Sequence, residues 1–175
     1  MSLSELLLNE LNKEAESTRK LLAIVPDEHL GWKPHEKSFT LGRMASHTAE
    51  LPLFLNRILD ADEYDMATRT GTPYVCADNT NLLSHFEMRL AEGIPSLEKA
   101  TDEYLMQQWS LRRGETVIMT STRYEAIRSW MFNHHIHHRG QLTVYLRLLD
   151  VVIPGMYGPS ADDIIARQKA AEAQS

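Results

Sequence analysis

The stretch of sequence that decides the fold is NHHIHHRGQL at residues 133–142, which lies inside a strongly helical pattern. Within it, His134 and His138 are four residues apart. On an α-helix, residues at this spacing lie on one face with Cβ atoms roughly 5–6 Å apart. Two imidazoles placed in this way can bind one metal ion from successive turns, and histidine is the commonest metal ligand in proteins. The segment therefore predicts a long helix that carries two candidate metal ligands.

Helical patterns also dominate the sequence before and after this stretch. Residues that can cap a helix N-terminus stand before several stretches with apolar residues at steps of three or four, and Glu5 and Glu125 complete two capping boxes. These capping residues are Ser2, Thr40, Thr122 and Ser160. Prolines and glycines should end, kink or break the helices. They are Pro26, Pro52, Gly93 with Pro95, and Pro154 with Gly155.

Four main helices in one chain favour an all-α fold: a four-helix bundle with long connections and a short C-terminal helix. A short β ribbon is predicted around Trp109, Leu111, Val117 and Ile118. We expect a single domain over residues 1–175, with a core at about 2–167 and a frayed tail at 168–175.

Composition excludes several classes of protein. The net charge of −6 argues against nonspecific nucleic-acid binding, which needs a basic patch. No apolar run approaches the ~20 residues of a transmembrane helix, and residues 1–5 lack the basic region of a signal peptide. Cys76 is the only cysteine, so no intrachain disulfide can form. We expect a soluble cytoplasmic protein that binds neither nucleic acid nor membranes.

A third histidine is a candidate partner for the first two. His47 lies three residues after Met44 and four before Leu51, on the predicted inward face of the second helix. Three neutral imidazoles from two facing helices would bind a divalent ion and leave a position for water or substrate. His135 and His137, by contrast, flank the apolar stripe and should point partly away from it.

Other polar residues have weaker signals, and their alternatives stay open. Glu50, one turn after His47, could orient an imidazole, bind the metal, act as a general base, or be an ordinary helix carboxylate. Arg139 could hold an anion or form an exposed ion pair. Gly140 could mark a close helix contact or be merely tolerated. Tyr157, in a predicted turn, is a second candidate for proton transfer. Cys76 has no neighbouring cluster and is not expected to be a nucleophile.

These residues together resemble the DinB/YfiT-like superfamily. HHIHHRGQL at 134–142, followed by YLR at 145–147, resembles the last core helix of that family. The segment PGMYGPSAD at 154–162 matches the tail of many members. WKP at 32–34 and TLG at 40–42, followed by His47, resemble the start of the second family helix. The resemblance spans nearly the whole chain, and the histidine motif with its Arg-Gly-Gln is its most specific part.

The resemblance implies an up-down-down-up four-helix bundle with metal ligands at His47, His134 and His138. It also implies zinc or nickel as the metal and a homodimer. Relatives include thiol-dependent S-transferases and a mycothiol-dependent isomerase, and others are called metal-dependent hydrolases.

We therefore expect a metal-dependent enzyme in which a low-molecular-weight thiol or water attacks a small electrophilic substrate. A hydrolase, a non-catalytic metal-binding or ligand-binding stress-response module, and a bundle with incidental core histidines are the alternatives.

Overall fold

The computed structural model describes residues 1–174 and shows a mostly helical protein. Its helices are α1 (Leu3–Leu22), α2 (Leu41–Glu50), α3 (Leu53–Leu59), α4 (Asn79–Lys99), α5 (Asp102–Leu105), α6 (Arg123–Ala126), α7 (His134–Leu148) and α8 (Ala161–Glu172). A π-helical segment, Ile127–Asn133, joins α6 to α7. Single-turn 3-10 helices occupy Asp27–His29 and Met66–Thr68.

The predicted helix starts are confirmed at atomic detail. Ser2, Thr122 and Ser160 each accept a hydrogen bond from the backbone N–H three residues on, within complete capping boxes. Thr40 caps α2 by accepting from the N–H of Arg43. These side chains satisfy backbone donors that the first helical turn leaves unpaired, which is why local sequence predicts them well.

Proline has different effects in two helices. A kink was predicted at Pro52, and the structure has a full interruption there, since α2 ends at Glu50 and α3 begins at Leu53. Gly93 and Pro95 were expected to bend or break their helix, and a break is wrong, because α4 runs through both residues to Lys99. A Cβ atom on Gly93 would lie 2.9 Å from the Cβ of Leu55. Gly93 is thus a point of close approach between α4 and α3, and this packing favours a continuous helix.

The core lies where α1, α2, α4 and α7 pack together. α4 contacts α1, α2 and α3, and α7 contacts α1 and α2. Leucines dominate the buried surfaces of these helices, among them Leu7, Leu11, Leu41, Leu82, Leu90, Leu142 and Leu146. Such contacts are those expected among four bundled helices, whereas the up-down-down-up order stays a prediction.

A small sheet adds to the helices at one side of the fold. Its strands are β1 (Glu63–Asp65), β2 (Gln108–Arg113) and β3 (Thr116–Thr122). β2 pairs with β1 in parallel and with β3 in antiparallel orientation. The predicted ribbon is therefore confirmed as β2 and β3, and β1 is a third strand that was not predicted. The indole Nε1 of buried Trp109 donates to the carbonyl oxygen of Arg57, which fixes the sheet against α3.

The C-terminal segment is more regular than predicted. Fraying was expected from residue 168, but α8 continues to Glu172. Its side chains are largely exposed, so the capping box at Ser160 and its good helix formers hold it rather than burial. Ser175, the last residue of the predicted tail, lies outside the described residues.

Candidate metal centre

Two helices place the three predicted histidines. His47 lies in the last turn of α2, and His134 and His138 lie in the first two turns of α7, which packs against α2. The π-helical segment ends immediately before His134. Short π-helical turns inside α-helices are rare and are frequent at functional sites.

The structure brings the three rings together. The Nε2 atoms of His47 and His134 lie 3.4 Å apart. The ring centroid of His138 is 4.4 Å from that of His47 and 4.7 Å from that of His134. One nitrogen from each ring lies within 4.8 Å of the others, so the group could hold one ion.

These distances fit a divalent transition metal. Zinc–nitrogen bonds of about 2.0–2.1 Å in tetrahedral geometry separate two ligand nitrogens by about 3.4 Å. The Nδ1 of His138 is hydrogen-bonded to Oε1 of Gln141 at 2.7 Å, which leaves its Nε2 uncommitted. A metal-ligating histidine usually has its other nitrogen held by such a partner, since this fixes the tautomer and the ring orientation. The donor set is thus chemically suited to zinc or nickel.

Electrostatics keep the three imidazoles in the state that binds metal. Burial lowers the pKa of His47 to about 3, and the positive charge of Arg43 acts in the same direction. Burial lowers the pKa of His138 to about 4, although the Gln141 hydrogen bond acts in the opposite direction. Burial also lowers the pKa of His134. All three are therefore neutral at pH 7, and a neutral imidazole is the form that ligates a metal.

Two neighbouring histidines stand outside the group. His137 is exposed, as predicted, and its ring centroid is 4.9 Å from that of His138. The prediction for His135 is wrong, because its side chain is only 1% exposed. Its Nε2 lies 3.3 Å from the hydroxyl of Thr18 on α1, so it points into the core.

Arg139 and Glu14 form a buried polar pair on the same side of α7 as His135, and the largely exposed Tyr157 joins them through its hydroxyl. Arg139 is 2% exposed and pairs with the Glu14 carboxylate, so the expected exposed ion pair is wrong. The Tyr157 hydroxyl donates to Glu14 and accepts from Arg139. This hydrogen-bonding binds the C-terminal segment to α1 and α7, and it commits the hydroxyl of Tyr157 away from the three histidines.

Glu50 lies closer to the site than Tyr157. Its carboxylate is partly buried, is paired with Arg43 at 3.3 Å and lines a cavity together with His47. It is not one of the residues whose ligand atoms converge with the three histidines. Cys76 is buried, and burial raises the pKa of its thiol, which agrees with the prediction that it is no nucleophile.

Sequence reasoning missed several residues around the histidines. Gln141 could have been recognised, because a residue three positions after His138 shares its helix face. A recess of about 440 Å³ beside His134 is lined by Ser129, Trp130, Asn133 and His137, and another of about 280 Å³ beside His138 includes Phe39, Met44 and Tyr145. Trp130 and Tyr145 lie on the same predicted apolar stripe as His134 and His138, whereas Phe39 comes from the loop before α2 and no local sequence pattern places it beside His138.

A family model described as the DinB family matches residues 1–169. The uncharacterized protein YrdA of Bacillus subtilis (strain 168) is 26% identical over 157 residues, which cover 86% of this chain and 85% of that protein.

Two solved structures have a similar fold. A DinB-like protein from Bacillus cereus ATCC 10987 has a TM-score of 0.65 at 24% identity, covering 86% of this chain and 95% of that one. A DinB-like protein from Bacillus subtilis, YjoA, has a TM-score of 0.62 at 22% identity, with coverage of 82% and 92%. Among residues 1–174, no helix is long and apolar enough to cross a membrane.

Proposed function

Because this chain belongs to the DinB family, we propose that it is a metal-dependent enzyme acting on a small electrophile, with a low-molecular-weight thiol as cosubstrate. The observation that carries the proposal is the convergence of His47, His134 and His138. The proposed metal is zinc or nickel, and both accept imidazole ligands.

The residues of the chain prepare the site for such chemistry. Burial keeps the three imidazoles neutral, and Gln141 orients the ring of His138. When bound, a divalent ion supplies Lewis acidity, which lowers the pKa of a coordinated water towards ~7 and deprotonates a thiol. Three protein ligands leave at least one coordination position for an exogenous group, as in catalytic zinc sites. The thiol has to come from a cosubstrate because Cys76, the only cysteine, is buried and has a raised pKa.

The recesses beside the histidines are suited to bind the electrophile. The recess beside His134 is bounded by the Trp130 indole, which packs edge-on against the His134 ring at a centroid distance of 6.2 Å. An apolar or aromatic part of a substrate would bury surface against this indole, which favours binding through the hydrophobic effect. The sulfur would then form a bond to an electrophilic carbon as the leaving group departs with the bonding electrons.

Glu50 is better placed than Tyr157 to act as a general base. Glu50 lines the cavity that also exposes His47, whereas the hydroxyl of Tyr157 is engaged by Glu14 and Arg139. Glu50 would accept a proton from the incoming thiol or water directly or through one intervening water, as a general base requires.

A hydrolase is the second candidate, and the same cavity favours it. It has room for a water molecule beside both His47 and the Glu50 carboxylate, so water could replace the thiol as nucleophile. A non-catalytic metal-binding module is the remaining alternative, and the experiment below separates the three.

We also propose a cytoplasmic homodimer. Val144 and Leu148, one helical turn apart on α7, are 58% and 57% exposed, and Val152 beyond the helix is 70% exposed. Exposed apolar side chains so close in the chain favour a protein–protein interface there. A second copy of the chain is the partner expected from the family resemblance.

The test is turnover by tag-free protein loaded with zinc or nickel. Glutathione, bacillithiol, mycothiol and cysteine are each paired with an aryl halide or an epoxide, and His138→Ala and His137→Ala are the site and control variants. We expect metal-dependent conjugation with one thiol, lost in His138→Ala and retained in His137→Ala. Hydrolysis of ester substrates without thiol would favour the hydrolase. No turnover by loaded protein across both panels would favour the non-catalytic module.

A further inference from the structure

A small cavity of about 50 Å³ lies beside the three-histidine group. Side chains from α2, α3 and the segment after β1 line it together with His47: Glu50, Leu51, Leu53, Phe54, Arg57 and Arg69. A cavity needs about 10–15 Å³ of such space to hold one water molecule, so this cavity admits a small polar group such as a carboxylate. The cavity is thus a pocket for one small polar group next to a candidate metal ligand.

Two guanidinium groups line this cavity without an anionic partner. Among residues 1–174, neither Arg57 nor Arg69 forms an ion pair or a side-chain hydrogen bond. Most other arginines in that part of the chain are paired with a carboxylate, as Arg43 is with Glu50. The cavity therefore concentrates positive charge in a chain whose net charge is −6.

Aromatic rings and burial hold Arg57 in place. Its guanidinium lies over the ring of Phe54 at 5.0 Å and over the ring of Tyr64 at 4.4 Å. Cation–π contacts of this kind orient the planar group, and its N–H edges remain free to donate. Burial lowers the pKa of Arg57, and the charge of Arg69 acts in the same direction. A partly buried cation without a counter-ion is costly, and a bound anion would offset that cost.

The carboxylate in the cavity lining does not neutralise these arginines. Glu50 is already paired with Arg43, and it attracts Arg57 only from beyond ion-pair distance. The planar guanidinium fork matches a carboxylate with two parallel N–H···O bonds, and such bidentate pairs are among the strongest hydrogen bonds in proteins.

We propose that Arg57 and Arg69 form a carboxylate-binding subsite that selects small carboxylate-bearing molecules for the neighbouring centre. Arg57 is the principal contact because it is partly buried and fixed, and Arg69, which is exposed, closes the open side. The placement next to His47 would put a carboxylate within a few bonds of the reacting atom. The subsite itself requires no metal, whereas its role in substrate selection rests on the proposed function.

The first experiment tests the subsite in metal-free protein. Propionate is titrated and followed by calorimetry and by the NMR signal of the Arg57 Nε–H, with propionamide as the neutral match. We expect saturable binding of propionate only, about tenfold weaker in Arg57→Gln and a few-fold weaker in Arg69→Gln. The control, Arg167→Gln, removes the same charge from exposed α8 and should bind as the wild type does.

The propionate titration shows whether the carboxylate-binding subsite exists. Equal affinity for propionate in Arg57→Gln and wild type, or no saturable binding to the wild type, would overturn the subsite. Arg57 packs on two rings, so the folding of each variant is checked by circular dichroism. If Arg57→Gln does not fold, Arg69→Gln and Arg57→Lys decide instead. Weaker binding by Arg69→Gln together with measurable binding by Arg57→Lys would support the subsite, and unchanged binding by Arg69→Gln would overturn it.

The second experiment asks which molecule carries the carboxylate. Cobalt-substituted protein is titrated with 3-mercaptopropionate and with neutral 3-mercapto-1-propanol, and thiol binding is read from the visible spectrum. A preference for the acidic thiol that disappears in Arg57→Gln would assign the carboxylate to the cosubstrate. Equal binding of both thiols, with propionate still bound, would assign it to the electrophile. Failure to take up cobalt would contradict the proposed function and leave the propionate result standing.

Discussion

The Nε2 atoms of His47 and His134 lie 3.4 Å apart, although 87 residues separate them in the chain. Neither imidazole is charged at neutral pH, because burial lowers the pKa of both. Two neutral rings in this position either share one hydrogen bond or bind a common ion. The approach of His138 to both rings favours the ion, since one proton between two nitrogens cannot engage a third.

Gln141 should tune the affinity for metal without being a ligand. Its side chain is hydrogen-bonded to Nδ1 of His138 at 2.7 Å, so Gln141→Ala frees that ring to rotate. We expect metal affinity to fall by about 10–100-fold, the usual effect of losing such an outer contact. Competition with a chromophoric chelator measures the change. Gln168→Ala on exposed α8 is the control, and equal affinities in the two variants would contradict this role.

Metal-free protein should lose stability as the pH falls from about 6.5. The unfolded state binds protons on histidine near pH 6.5, whereas burial lowers the folded-state pKa of His135 to about 3 and that of His138 to about 4. Between these values the unfolded state holds more protons, so the free energy of unfolding decreases with acid. The stability that these neutral histidines contribute is fully present above pH 6.5 and is lost as the pH falls towards 3.

Urea unfolding at a series of pH values measures this dependence. In His135→Asn the proton uptake on unfolding near pH 5 should be smaller by about one proton per chain. His137→Asn is the exposed control and should keep the slope of the wild type. A stability that is flat from pH 7 to pH 4 would show that these histidines are not held neutral by the fold.

The buried ion pair between Arg139 and Glu14 should stabilise the folded protein much more than an exposed ion pair on the same helix does. Arg139→Met leaves Glu14 and Tyr157 without their buried partner, and we expect the free energy of unfolding to fall by about 3–5 kcal/mol. Arg147→Met breaks an exposed pair with Asp162 and should cost about 1 kcal/mol or less. Chemical denaturation of both variants provides the comparison, and similar losses would argue against a structural network around Arg139.

Two helical glycines should respond to alanine in opposite ways. A Cβ on Gly93 would meet Leu55 at 2.9 Å, so Gly93→Ala should force α3 and α4 apart and destabilise the fold by roughly 1–3 kcal/mol. Nothing lies within 4 Å of a Cβ on Gly140, so a close helix contact there is ruled out. Gly140→Ala should therefore stabilise α7 by up to about 1 kcal/mol. Melting temperatures of the two variants test both signs.

The sequence predicts features that depend on near neighbours in the chain, but it does not predict which face of α7 is buried. The capping boxes and the spacing of His134 and His138 depend on neighbours within one turn, which is why they could be predicted. His135 and Arg139 were assigned to the wrong side because the stripe was extended from Ile127 at α-helical spacing. The π-helical segment at Ile127–Asn133 has i→i+5 hydrogen bonds and turns less per residue, so the buried face moves one residue along the chain.

Tertiary arrangement was also beyond the sequence. The meeting of His47 with the other two rings depends on how α2 packs against α7. Arg57 and Arg69 share a cavity only because the segment after β1 lies close to α3, and no spacing in the sequence reports that. The family resemblance predicts the three histidine ligands, whereas the residues that line the neighbouring cavities and their charges are known only from the structure.

The most direct test of the three-histidine centre is the metal content of tag-free protein after loading and removal of free ion. Elemental analysis should find about one zinc or nickel ion per chain in the wild type and in His137→Ala, and none in folded His47→Ala. His47 is the decisive position because it reaches the site from the other helix. Full metal content in His47→Ala, or none in the wild type, would contradict a metal centre shared between α2 and α7.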